Sequence, residues 1–131
     1  MAQLCQKWDV LGLTDEIYEH ILYHGTQHIA LATLPGMEER TIITINGLSK
    51  TYSVNSWRVG YILATPELTG AIRKIHEFLT VGAPAPLPRA GVAAMQLPPS
   101  YYEELARLYR QKRDSILEIL DQASIPYFVP K

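Results

Sequence analysis

Residues 41–64 read TIITINGLSKTYSVNSWRVGYILA, and this stretch decides the fold. Thr41 to Asn46 (TIITIN) is a β-branched run, and Val59 to Ala64 (VGYILA) is a second apolar run of strand length. About a dozen residues connect them. A parallel crossover needs that many or more and usually a helix, whereas Thr51 to Ser56 (TYSVNS) is poor helix material. The spacing therefore predicts that the later strand runs antiparallel to the earlier one. That return brings Arg58, at the start of one strand, to the same sheet edge as Lys50, past the end of the other.

Upstream, Ala2 to Trp8 has the character of a helix tail running straight into the apolar segment Val10 to Thr14 (VLGLT). A helix followed at once by a strand is the second half of an α/β unit. All three apolar runs are nearly continuous, which suits strands covered on both faces. Asp15 lies just past the carboxyl end of the first, where open α/β sheets place ligands, and Tyr18 follows three residues later.

Downstream, Thr65-Pro66-Glu67 supplies an N-cap, a first-turn proline and an acid. Leu68, Ala71, Ile72, Ile75, Phe78 and Leu79 then repeat at helical spacing. Gly82 to Pro88 (GAPAPLP) is a proline-rich connector before a short helix over roughly Arg89 to Leu97. Pro98-Pro99-Ser100 opens the longest helix, with Ser100 and Glu103 placed as a capping box and Glu103 and Arg107 as an i,i+4 pair. Tyr101, Leu105, Leu108, Tyr109, Ile116, Ile119 and Leu120 form its apolar stripe. Ile125 to Val129 reads as the beginning of a strand, so both ends of the chain are expected to cut through secondary structure.

Composition narrows the function. At 131 residues, 47% apolar and 19% charged, the chain is one domain's worth of globular protein. A net charge of −1 without a basic block argues against a nucleic-acid partner. The single cysteine, Cys5, cannot form an internal disulfide, which points to a reducing, cytoplasmic setting. No apolar stretch reaches the ~20 residues of a membrane span. Glu16, Glu19, His20, His24 and His28 are metal-ligating types, but their spacings match no zinc pattern and predict a solvated loop with no metal.

Asp15-Glu16-Ile17-Tyr18, Leu48-Ser49-Lys50 and Trp57-Arg58-Val59-Gly60-Tyr61 form D-x-x-Y, a gap, S-K, seven residues, then R-x-G. In this pattern the chain resembles the fold-type I, class I/II aminotransferases of the aspartate aminotransferase superfamily, along essentially its whole length. The resemblance implies a three-layer α/β/α fold, mostly parallel, with an antiparallel strand after the Schiff-base lysine, as an incomplete large domain of that fold. It implies pyridoxal 5'-phosphate as cofactor, amino acid and 2-oxo acid as substrates, and a homodimer in the complete protein. Lys50 would bond the cofactor aldehyde and move a proton at the substrate. Asp15 would face the pyridinium nitrogen, and Tyr18 would hydrogen-bond the ring oxygen and lower the imine pKa. Ser49 and Arg58 would bind the phosphate, where a fixed dianion needs charge-assisted donors. Trp57 and Tyr61 read as core.

Each residue has a plainer meaning in isolation: a loop lysine, a turn aspartate, a half-buried tyrosine, a turn serine and a salt-bridge arginine. Where many members carry a serine or threonine three before the lysine, this chain has Gly47, whose backbone N–H could substitute. The chain has no Asn-Pro-x-x-Pro-Thr-Gly motif, and no arginine follows Arg113. Residues 1–115 are expected to belong to the large domain and 116–131 to begin the small one. The 131 residues alone are expected to be inactive, the competing readings being a non-catalytic remnant or regulatory binding module, and a lyase or decarboxylase on the same fold.

Overall fold

A computed structural model describes residues 1–23, 25–37 and 42–130. The chain forms two compact units, the first from Met1–Ile17 and Ile29–Gln96, the second from Tyr18–His28 and Leu97–Lys131. In the first unit, α1 (Ala2–Trp8) leads into β1 (Gly12–Asp15) and a 3-10 turn at Leu31–Thr33. Next come β2 (Ile42–Gly47), α2 (Leu48–Thr51), a 3-10 turn at Asn55–Trp57, β3 (Gly60–Leu63), α3 (Pro66–Thr80) and α4 (Pro86–Met95).

The sheet order is β1-β2-β3. β1 and β2 are parallel in register from Gly12 opposite Ile42 to Asp15 opposite Ile45. β2 and β3 are antiparallel, from Thr44 opposite Leu63 to Gly47 opposite Gly60, the direction the short connection required. Thr41, expected to start the second strand, lies outside the described residues. The connection contains a helical turn, α2, which the sequence reading did not anticipate because it begins before Thr51.

Among the described residues, the strands are not covered on both faces. Along β1 the residues alternate between covered and open, and β2 largely follows the same two-residue period. Gly12 faces the core of Cys5, Leu31, Met37 and Ile42, and a Cβ there would lie 2.7 Å from Ile42 Cδ1. Leu13, one residue on, is 61% exposed. Continuous apolar sequence reflects the choice of residues on both faces, not their cover. The expected stripe of α3 is likewise open: no residue of that helix is buried, and Phe78 is 94% exposed.

Helix ends depart from the expected caps. Pro66 stands in the first turn of α3 as expected, but the Thr65 side chain makes no capping bond. α4 starts at Pro86, earlier than expected, because prolines in a first turn forfeit no intrahelical N–H bond. In the second unit α5 runs over Pro99–Gln122 with Pro98 as N-cap, so Ser100 falls inside the helix and the Ser100–Glu103 box does not form. Arg107 pairs with Glu104 rather than Glu103, its Nε donating at 2.9 Å to Glu104 Oε2. That hydrogen bond holds the Glu104 carboxyl below its ordinary pKa. Residues 125–129 form no strand.

The buried side of α5 contains Leu105 and, against expectation, Arg113, only 8% exposed. The Arg113 guanidinium lies 4.6 Å from the Tyr23 ring centroid, and its Nε and Nη2 donate to Asp114 Oδ1 at 2.9 and 2.6 Å. One helical face also presents Tyr102, eleven residues earlier and thus about three turns away, whose ring is 4.3 Å from that of His20. These two contacts dock the Tyr18–His28 loop on α5. No helix among the described residues is long and apolar enough to cross a membrane.

Two glycines test this packing in opposite directions. A Cβ at Gly60 would stand 3.0 Å from the Asn46 backbone oxygen, so Gly60→Val should destabilise by ~1–3 kcal/mol. Gly70, inside α3, has nothing within 4 Å of an added Cβ, and Gly70→Ala should stabilise by about 0.5–1 kcal/mol. Thermal unfolding should lower the midpoint of the first variant and raise that of the second. A neutral Gly60→Val would contradict the close β2–β3 approach.

Candidate functional site

The sheet places the chemistry at one edge. β1 and β2 are parallel, so their carboxyl ends share an edge, and antiparallel β3 begins there. Asp15 is the last residue of β1, rather than the first beyond it. Ser49 and Lys50 lie on α2, which starts directly after β2. Arg58 stands two residues before β3. With strands ~4.8 Å apart, the rung Asp15–Ile45–Ile62 spans roughly 10 Å, the scale of a small aromatic phosphate.

Local structure orients Asp15 and Arg58. Asp15 Oδ1 accepts the Ile17 N–H at 3.2 Å, the turn role that an aspartate after a strand also fills. A carboxylate has several further lone pairs, so this bond orients the group without exhausting it. The next residue, Glu16, is buried and extends the pairing, its N–H donating to Ile45 O at 2.9 Å. Ser49 is buried and Lys50 half-buried.

Arg58 is exposed, and its backbone is left-handed at φ 54° and ψ 38°. For a residue with a Cβ this conformation costs about 1–2 kcal/mol. The Arg58 Nη1 donates to Asn55 O at 3.3 Å, closing the turn behind it. Sterically strained positions of this kind persist where neighbouring structure over-determines them.

Tyr18 belongs to the second unit, where its carbonyl accepts the Ile21 N–H at 2.9 Å and the residue is 56% exposed. The first unit therefore brings together Asp15, Ser49, Lys50 and Arg58, while Tyr18 opens the loop that follows Asp15 in the chain. Of the metal-ligating residue types, Glu19, His20 and His28 occupy that loop, and His24 lies outside the described residues. Trp57, expected in the core, is 37% exposed.

Gly47 does not offer the backbone donor first expected of it. Its N–H donates to the Asn46 side chain, Oδ1, at 2.7 Å. A Cβ at Gly47 would lie 3.2 Å from the Val59 oxygen, so the residue is small because the two strands close tightly there. Sequence reading missed Leu48 and Asn46, both buried next to the named residues. Their signal was available in their position between a β-branched strand and a charged helix turn.

Residues 1–131 match the family model for aminotransferase class I and II. Kynurenine–oxoglutarate transaminase of Dictyostelium discoideum is 38% identical over 121 residues, covering 91% of this chain and 28% of that protein. Aspartate aminotransferase of Pinus pinaster is 40% identical over 114 residues, covering 85% of this chain and 23% of that protein. The solved structure of N-succinyldiaminopimelate aminotransferase from Mycobacterium tuberculosis superposes with a TM-score of 0.86 at 27% identity, covering 92% of this chain and 31% of that one. The chain spans less than a third of the length of each.

The left-handed Arg58 allows its guanidinium to be tested apart from its backbone. Glycine adopts this conformation freely, so Arg58→Gly should be about 1 kcal/mol more stable than Arg58→Ala. Inorganic phosphate should raise the thermal midpoint of the unsubstituted protein and of neither variant. Equal phosphate stabilisation of Arg58→Gly would remove Arg58 from the anion site.

Proposed function

Because the chain belongs to the class I and II aminotransferase family, we propose that it is the cofactor-anchoring portion of a pyridoxal 5'-phosphate-dependent aminotransferase. The reaction exchanges an amino group between an amino acid and a 2-oxo acid. What supports this reading is that the segments bearing one amine, one carboxylate, one hydroxyl and one guanidinium all lie at a single edge of the sheet.

The donor set fits the cofactor by its chemistry. Arg58 and Ser49 would hold the phosphate, the guanidinium by paired charge-assisted bonds that a lysine could not match. Asp15 would hold a proton on the ring nitrogen, and Tyr18 would donate to the ring oxygen. Lys50 would bond the aldehyde and then act as the base that moves a proton at the substrate's alpha carbon. Pyridoxal phosphate, when bound, supplies an electron sink for the charge left at that carbon. With the Gly47 N–H engaged by Asn46, phosphate binding by these segments rests on Ser49 and Arg58.

The wider assignment follows the same reading. Residues 1–115 belong to a large cofactor domain and 116–131 begin a small one, with α5 running unbroken from one to the other. The complete protein is a homodimer, for which the open apolar residues Ile75, Phe78 and Leu79 of α3 are available surface. A single, buried cysteine, Cys5, suits the cytoplasm.

Borohydride reduction of the complete protein with pyridoxal phosphate, followed by peptide mapping, should place the label on Lys50. Asp15→Asn should keep the fold and the label but lose a hundred- to a thousandfold in turnover, on the order of 2.7–4 kcal/mol of transition-state stabilisation. A label on Lys74, or near-normal turnover in Asp15→Asn, would overturn the assignment of that residue.

A further inference from the structure

Leu48 stands two residues before Lys50 on the same helical turn. Leu48 is 2% exposed and opens α2. Its N–H donates to Val59 O at 3.1 Å, the residue beside Arg58, and its carbonyl accepts the Tyr52 N–H at 3.1 Å. One residue thus ties the segment bearing the amine to the segment bearing the guanidinium.

Its side chain is received by α4. A Cβ built on Gly91, the one buried residue of that helix, would lie 2.8 Å from Leu48 Cδ1, with Leu48 Cδ2 at 3.6 Å and Cγ at 3.7 Å. The helix therefore approaches α2 through a notch at Gly91 that an added methyl would fill, displacing the end of Leu48. Beside the notch is a cavity of about 360 Å³, lined by Leu48, Val59, Tyr61, Pro88, Gly91 and Val92 among others. A methyl placed on Gly91 would meet the flexible end of Leu48, and the cavity gives that side chain room to move. Strain added at Gly91 then unseats the Leu48 side chain from the contact by which α2 packs on α4.

We propose that Leu48 and Gly91 are positioning residues for Lys50, setting the place of its amine relative to Arg58 through the knob-and-notch contact of α2 with α4. The inference rests on the reading of Lys50 given under Proposed function. Neither residue is among those named above for the cofactor; they act through the backbone of the four-residue helix that carries Lys50.

The test uses the complete protein bound to pyridoxal phosphate and reads the pH midpoint of the cofactor's absorbance change, which reports the surroundings of the lysine amine. Gly91→Ala should shift that midpoint by ~0.5 unit or more. The double variant Leu48→Val with Gly91→Ala, which returns the volume, should move it back toward the starting value. Two controls separate positioning from stability. Met37→Ala, in the core around Cys5 and Leu31, should lower the thermal midpoint without shifting the absorbance midpoint. Gly70→Ala should raise the thermal midpoint, again without a shift. An unshifted Gly91→Ala, or a Met37→Ala shift equal to that of Gly91→Ala, would overturn the proposal. Loss of the absorbance change in Lys50→Ala, with the label on Lys50, keeps the underlying reading intact in either case. If Lys50 takes no label, that reading falls and this proposal with it.

Discussion

The close approach of β2 to β3 is the constraint on which the site depends. Gly47 and Gly60 face each other across the antiparallel pair, and a Cβ would lie 3.2 Å from a backbone oxygen at the first and 3.0 Å at the second, tighter than ordinary contact. Just beyond them the Leu48 N–H reaches Val59 O. With that bond made, the lysine helix and the arginine turn leave the sheet side by side. Without it, the helical turn and the 3-10 turn between β2 and β3 would lose this tie between the amine and the guanidinium.

The energetics of this corner balance within a small compass. Arg58 holds a left-handed backbone at a cost of about 1–2 kcal/mol. Full burial of a leucine side chain contributes ~1.5–3 kcal/mol, and Leu48 is almost fully buried. The packing of Leu48 is thus large enough to offset the strain at Arg58. The two terms act on segments joined by the same hydrogen bond, so the strained turn persists because its neighbour is pinned.

How much of this was legible in the sequence follows from what each feature depends on. The antiparallel return could be read because it is local: a β-branched run, a connection too short for a crossover helix and a second apolar run. The convergence of Asp15, Lys50 and Arg58 on one edge then followed from strand direction alone. The notch between Leu48 and Gly91 could not be read, since nothing local says that residues 43 apart in sequence will meet. Arg113 was missed for another reason: a long cationic side chain on an amphipathic helix is ordinarily solvated, and its burial depends on Tyr23 and Pro130 O from distant segments. The start of α3 was read correctly at Thr65 and Pro66, with only the capping bond missing, whereas the Ser100 cap failed because Pro98 and Pro99 set the actual start of α5.

The most direct measurement is a crystal structure of the complete protein with pyridoxal phosphate. The account predicts the Asp15 carboxylate at the ring nitrogen, the Lys50 amine at the aldehyde carbon and the Arg58 guanidinium on the phosphate, all along the edge where β1 and β2 end and β3 begins. A cofactor bound elsewhere would contradict it. So would Arg58 turned away from the phosphate while the Gly47–Gly60 pairing remains intact.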